Sequence, residues 1–432
     1  MNKSILAIIR EHNLIFGVSI LSMVLICLSL YNSIFAIAAF GLHIASLLYF
    51  EPDEYIALLI SLMPWAYIYK VNGVSTSLFA ILVFAVVIKY VINIRYFNKM
   101  FVVLLFAFFF NVFAHFSINS STMAFMFIKL LFNIILLYEM CTLHTEEHLP
   151  IILVMFIISV VLSSAVAEFF PQKALLYNRI RVDSTFVEFK YARFKGLQND
   201  PNYYNASLVI SLLSLCYLFI KKQIGLSFFP LSVICIYFGF LTYSKSFFLL
   251  LLIWFAVVVF YSFKKKRYAL GGLLLGISAI AIVFIFSGKV QLINVLMNRF
   301  TDASGATSGR TDIWPMFIRH FIENPMVLLF GNGFESLIFQ THAAHNTYID
   351  LIYYFGIVGT VLLLSLIIIS FRQNKMYHKQ TFSYIFLGFI MMIYFFLSGI
   401  TLCEFPFILF LVFIFFNSDE KREMYSYNVC ES

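Results

Sequence analysis

The residues of this chain that could carry chemistry gather in two polar stretches. Residues 170–200 hold Lys173, Arg179, Arg181, Lys190, Arg193 and Lys195 against Asp183, Glu188 and Asp200. Residues 288–345 hold Lys289, Arg299, Arg310 and Arg319. Arginine presents a planar fork that matches phosphate oxygens bidentately, so the basic surplus points to an anionic substrate. For any single lysine here, a solvated charge is the plainer reading. The second stretch closes with HAAHNTYIDLIYYFGIVGT (342–360), which passes from polar into apolar sequence and sets His345 at the mouth of a helix. Taken alone, His345 reads first as a packed or surface side chain bonded to a neighbour. His342 forms H-x-x-H with it, but no third ligand has metal-site spacing, so no metal and no cofactor is expected.

The elements that must position these residues follow from composition. Of 432 residues, 62% are hydrophobic and 12% charged, with mean hydropathy +0.94. Soluble domains carry about twice that charged share, so a soluble enzyme, a disordered chain and a disulfide-stapled secreted domain are excluded. Recurrent apolar runs of about 20 residues match the bilayer core, whereas an outer-membrane barrel would show short alternating strands. The expected fold is therefore all-α: a single polytopic membrane domain over 1–432. We expect about fourteen spans (12–14), near 13–31, 33–50, 55–69, 75–94, 100–116, 122–140, 149–168, 202–220, 226–242, 246–263, 268–287, 346–371, 382–398 and 404–417. Basic residues concentrate on cytoplasmic loops. An inside N-terminus puts 16 of the 29 Lys and Arg on the inner side, against Lys70 and Lys245 in short outer connections. Both termini are expected to be cytoplasmic, with the loops at 170–200 and 288–345 outside. Lys129, in the middle of the sixth span, is a functional candidate by default. HTEEH (144–148) reads as a polar turn.

Within the first loop, Asp200-Pro201 marks a helix start, where a missing N–H costs nothing. Asn202 then lies in the first turn, as a local cap or a substrate contact. Within the second loop, RTDIWPMFIRHFIE (310–323) spaces Ile313, Trp314, Phe317, Ile318, Phe321 and Ile322 at helical intervals. This predicts an amphipathic helix near 311–323, with Pro315 in its first turn and Asn324-Pro325 ending it. Such a helix lies on the outer membrane surface, packs on the bundle, or does both. GNG (331–333) predicts a turn, and Gly356 and Gly359 predict close helix approach.

Together these pieces resemble the bacterial O-antigen polymerase and O-antigen ligase superfamily. The resemblance rests on SGR (308–310) followed by Trp314, NP (324–325), GNGF (331–334), and His345-Asn346 followed nine residues on by G-x-x-G (356–359). Upstream, Arg193, Gly196 and DPN (200–202) resemble the family's pre-helix motif. TYSKS (242–246) resembles its T-x-S-R turn, with Lys245 where Arg is usual. These motifs span roughly 190–360, and the N-terminal half contributes only hydropathy.

The resemblance implies an enzyme of the bacterial inner membrane with its active site facing the periplasm. It implies transfer of a glycan from undecaprenyl pyrophosphate to a hydroxyl, without metal or nucleotide sugar. His345 is then the general base. Arg193 and Arg310 are the cations facing the pyrophosphate, with Lys245 next and Arg181 and Arg179 as helpers. Asn346 orients the base or caps the following span. Direct displacement with inversion is expected, because no carboxylate pair of glycosidase character stands out. The implied partners are lipid-linked donor and acceptor, membrane lipid and a chain-length regulator protein; nucleic acid is not among them. The first reading is a polymerase acting on a lipid-linked repeat unit. The alternative is a ligase whose acceptor is the lipid A core. A polysaccharide-lipid flippase is third, since it would show repeat-related halves, broken helices and several intramembrane charges.

Overall fold

A computed structural model describes residues 5–71, 77–93, 98–114, 121–142, 148–170, 179–182, 191–198, 200–221, 223–225, 227–264, 310–333, 344–373 and 392–393. The expected spans at 268–287 and 404–417, and all but two residues of 382–398, lie outside the described residues. The described residues are mostly helical, as expected. The N-terminal half contains α1 (Ile5–Glu11), α2 (Asn13–Leu28), α3 (Ile34–Tyr49), α4 (Pro52–Leu62), α5 (Leu78–Asn93), α6 (Lys99–Ala114), α7 (Ser121–Thr142) and α8 (Leu149–Phe169). After a short sheet come α9 (Pro201–Ile220), α10 (Phe228–Leu241) and α11 (Lys245–Lys264), then α12 (Arg310–Glu323), α13 (Pro325–Phe330) and α14 (Thr347–Gln373).

Local sequence sets the boundaries. Pro52 opens α4 inside a capping box, in which the Glu51 N–H donates to the Glu54 carboxylate, satisfying donors a helix start leaves bare. Pro201 opens α9 as expected, with Asp200 accepting from the Asn202 N–H at 2.7 Å. Among the described residues, α7, α8 and α14 are long and apolar enough to cross a membrane. The α1–α2 pair, bent by 99°, makes a fourth if it counts as one span. Helices such as α2, α3 and α6, at 16 residues each, are apolar but shorter. These apolar helices mark a membrane protein.

Two features depart from expectation. Residues 170–200 are not wholly loop: β1 (Arg179–Val182) pairs antiparallel with β2 (Tyr191–Phe194). Each strand is only four residues, too short for an alternating pattern to stand out, and eight residues separate them. The twelfth predicted span is not one continuous helix either. Gly356 adopts φ +66°, ψ −178°, and breaks α14. A β-carbon there would sit 2.3 Å from the Leu329 carbonyl oxygen, and one at Gly359 would sit 2.6 Å from the Asn111 amide nitrogen. The expected close approach is therefore present, with a break added to it.

The bundle core is tied by polar contacts that hydropathy alone did not reveal. His43, fully buried on α3, bonds Tyr69 Oη at 2.9 Å and Ser22 Oγ at 2.8 Å. Ser19 meets Ser61 at 2.7 Å, and Trp65 Nε1 donates to Ser159 Oγ at 3.0 Å. These join α2, α3, α4 and α8, where each pair satisfies groups that apolar surroundings cannot. In the C-terminal half, Gly239 lets α10 lie on the ring of Phe247 in α11, 1.9 Å from where a β-carbon would be. Phe247 is fully buried and has nowhere to swing. Gly239→Ala is expected to destabilise the protein by about 1–3 kcal/mol through overpacking. Phe247→Ala should remove most of that added cost in the double variant. Thermal melts in detergent check this; a melting loss in the double variant equal to the sum of the singles contradicts it.

Candidate functional site

Two clusters contain most of the residues singled out from the sequence. In the first, the break between α10 and α11 runs through Thr242 and Ser244, with Tyr243 at φ +49°. A tyrosine there is strained by about 1–3 kcal/mol, and the surroundings hold it. Arg193, on β2, donates from Nε to the Thr242 carbonyl at 3.0 Å and from a terminal nitrogen to Asn202 Oδ1 at 3.3 Å. Ser244 Oγ donates to the same Asn202 oxygen at 3.2 Å and meets Ser246 Oγ at 2.8 Å. Lys245 opens α11 beside them. Arg193, Asn202 and Lys245 thus converge from β2, α9 and the α10–α11 turn, although they span more than fifty positions of sequence.

Lys195, two residues past Arg193, is buried. Its ammonium lies 5.9 Å from the centre of the Tyr67 ring, which Lys70 approaches to 4.4 Å. Burial lowers the Lys195 pKa from its ordinary value, and Asp200 pulls the other way. Gln198 donates to the Pro64 carbonyl at 3.3 Å, tying this segment to the short 3-10 turn that follows α4.

The second cluster surrounds the start of α14. His345 is exposed while its neighbours Ala344 and Asn346 are buried. Its φ is +50°, a left-handed conformation that histidine tolerates better than most residues. Trp314 Nε1, on α12, donates to the Ala344 carbonyl at 3.0 Å. Asn346 Oδ1 accepts from the Tyr348 and Ile349 N–H groups at 3.0 and 3.4 Å, which makes Asn346 the N-cap of α14. Of its two expected roles, capping is the one its contacts display.

The amphipathic segment is a helix over Arg310–Glu323, and Pro315 lies inside it rather than in its first turn. Trp314, Phe317 and Phe321 face the bundle, and the Phe317 ring meets Tyr353 edge-on at 5.4 Å. Ile318 and Ile322 stay exposed, so the helix packs inward and presents a second apolar side outward. GNG forms the expected turn, with Gly331 at φ +86° and Gly333 at φ +67°. Its N–H groups then dock on α14: Asn332 donates to the Tyr353 carbonyl at 2.8 Å and Gly333 to that of Tyr354 at 2.9 Å.

A family model described as O-antigen ligase matches residues 230–364, which include the TYSKS turn, α12, GNG, His345 and the Gly356 break. The match supports the O-antigen polymerase and ligase superfamily for this segment. Superfamily members are glycosyltransferase-like enzymes, polymerases and ligases. No curated protein and no solved structure matches the chain.

The superfamily segment holds His345, Asn346, Arg310 and Lys245, while Arg193 and Asn202 reach it from outside. Arg181 pairs in register with Ala192, and the residue opposite Arg193 is Ile180. Arg310 opens α12. His342, Ser308, Gly309 and Phe334 lie outside the described residues, as does most of HTEEH. Lys129 has its ammonium 5.1 Å from the Phe125 ring centre.

Sequence reasoning passed over Asn111. From α6 its amide donates to the Phe330 carbonyl at 3.3 Å and to that of Phe355 at 3.1 Å. The available signal was an amide amid FAFFFNVFA (106–114). His43, in GLHIASLL (41–48), was marked by the same kind of signal, since a polar side chain inside a span is costly and has a reason.

The cap assignment gives a direct test. Asn346→Ala should lower stability by about 1 kcal/mol, and Asn346→Ser should restore most of it, with transfer activity following stability in both. Melting curves beside transfer rates check this. Activity lost in the serine variant at unchanged melting temperature would mean that Asn346 does more than cap.

Proposed function

We propose that the chain is a surface-polysaccharide polymerase. It transfers a growing glycan from undecaprenyl pyrophosphate to a hydroxyl of a lipid-linked repeat unit at the periplasmic face. In this reading it is an inner-membrane protein of about fourteen spans with both termini cytoplasmic, and the segments around 170–200 and 288–345 face the periplasm. The observation that carries the reading is the convergence of the superfamily motifs into two built clusters. One presents the exposed His345 on a capped helix mouth, and the other gathers Arg193, Asn202 and Lys245.

An acceptor hydroxyl is a weak nucleophile, so a base that takes its proton as the bond forms lowers the barrier. His345 takes that proton. The hydroxyl oxygen attacks the anomeric carbon, the bond to the pyrophosphate oxygen breaks, and the configuration inverts. Negative charge builds on the departing pyrophosphate, and fixed cations stabilise it. Arg193, Arg310 and Lys245 supply them, with Arg181 as a helper. Lys245 acts as a point charge, without arginine's planar fork. The reaction as written calls on no metal or cofactor. A chain-length regulator is the expected protein partner.

One observation favours a second reading: the matching family model is described as O-antigen ligase, and a ligase would pass the glycan to the lipid A core. Deletion of the gene separates the two. Loss of a polymerase leaves single repeat units on lipid A core, whereas loss of a ligase leaves the core bare while lipid-linked polymer accumulates. Build-up of units that never cross the membrane would instead support a flippase.

His345→Ala is expected to abolish transfer while protein level and membrane insertion stay normal; full activity would remove His345 from the mechanism. Arg193→Ala and Arg310→Ala are expected to weaken use of the lipid pyrophosphate donor. Arg193→Ala should also cost stability, since it strips a charged donor from Thr242 and Asn202, a loss on the order of 1–3 kcal/mol. Donor-binding titrations decide the phosphate role, and unchanged affinity in both variants would discard it.

A further inference from the structure

The break at Gly356 divides α14 into Thr347–Phe355, whose cap adjoins His345, and the remainder that runs on to Gln373. Carbonyls next to such a break lose helical partners and must find donors elsewhere. Those of Tyr353 and Tyr354 find the backbone N–H groups of Asn332 and Gly333. That of Phe355 finds the amide of Asn111, which also holds the Phe330 carbonyl at the end of α13. Gly331 and Gly356 allow the two segments to touch: a β-carbon on Gly331 would lie 2.4 Å from the Tyr354 oxygen. At the other end, Trp314 holds the Ala344 carbonyl beside His345. The first half of α14 is therefore gripped at both ends by the α12–α13 unit, and Asn111 pins the lower grip to α6.

We propose that Asn111 is a positioning residue for transfer: its single amide clamps Phe330 and Phe355 together and so fixes the half-helix that presents His345. This rests on the reading of His345 as the base. It gives the N-terminal half of the chain, which carries no superfamily motif, a part in the reaction. The clamp needs donors and not merely volume. Phe108, one turn earlier on α6, meets Phe355 at 5.2 Å between ring centres and supplies apolar contact, so packing against α14 survives loss of the amide.

The test uses the full chain in proteoliposomes with a polyprenyl-pyrophosphate-linked repeat unit. It compares Asn111→Leu, which keeps the volume and removes both donors, with Asn111→Ala. Both are expected to lose kcat by about 100-fold, the scale at which small misplacement acts, with KM for the donor changed by less than about threefold. A second readout needs no transfer activity. In a His345→Cys background, labelling by a membrane-impermeant maleimide, corrected for the native cysteines, should change severalfold in rate when Asn111→Leu is added. Wild-type activity retained by Asn111→Leu would show that volume alone matters and would overturn the proposal. An activity loss that only follows loss of folded protein, with labelling at position 345 unchanged, would overturn it too. If the wild type shows no transfer, the functional reading fails, and the labelling arm still decides whether Asn111 positions residue 345.

Discussion

A peptide carbonyl inside an apolar bundle must be bonded, and at Gly356 the chain cannot bond its own. This constraint organises the second half of the molecule. The glycine takes a positive φ, the carbonyls just before it lose helical partners, and two separate pieces of sequence meet there to replace them. GNG supplies two backbone donors, Asn111 supplies an amide, and α13 arrives with a carbonyl of its own that the same amide absorbs. The glycines at 331 and 356 are required by contact as much as by conformation, since each lies where a β-carbon would strike backbone. Bonding in a water-poor setting leaves few alternatives, because an unsatisfied group costs several kcal/mol in hydrocarbon. The segment carrying His345 is consequently held in one arrangement.

The first cluster solves a related problem with charge. The α10–α11 connection ends one helix and begins the next, with Tyr243 left-handed between them. The Arg193 guanidinium satisfies the Thr242 carbonyl and reaches Asn202, so β2, α9 and the turn are locked through one side chain. A guanidinium offers five donors in a fixed fork, and Thr242 and Asn202 engage Nε and a terminal nitrogen. Holding the protein and meeting an anion are compatible uses of such a group. An ammonium in its place could not bridge the same two acceptors in one plane.

How much of this was legible in the sequence depends on whether each feature has a local cause. Asp200-Pro201 announced the start of α9, and the apolar spacing of 310–323 announced α12 nearly to the residue, because caps and helical periodicity are written in neighbouring positions. The grouping of Arg193, Asn202 and Lys245 was legible only as a set of motifs, and nothing in their spacing says that they touch. The Gly356 break was not legible. Glycine in an apolar helix is common where helices approach closely, and the break depends on donors more than twenty and two hundred positions away. The short β1–β2 ladder was missed for want of length. His43 and Asn111 were missed because an apolar run was read for its average, whereas one polar side chain within it carries the tertiary information.

Several helices of the bundle are short, and this bears on the surrounding lipid. At about 1.5 Å per residue, a 16-residue helix such as α2, α3 or α6 measures about 24 Å, against a hydrocarbon thickness of about 30 Å. Their exposed faces, with Leu21, Ile37 and Phe106 among them, are apolar. A bilayer accommodates such mismatch by thinning, at a modest cost per ångström. Where such helices cross a bilayer it thins beside them, so the polar boundary there lies closer to the middle of the bundle than elsewhere.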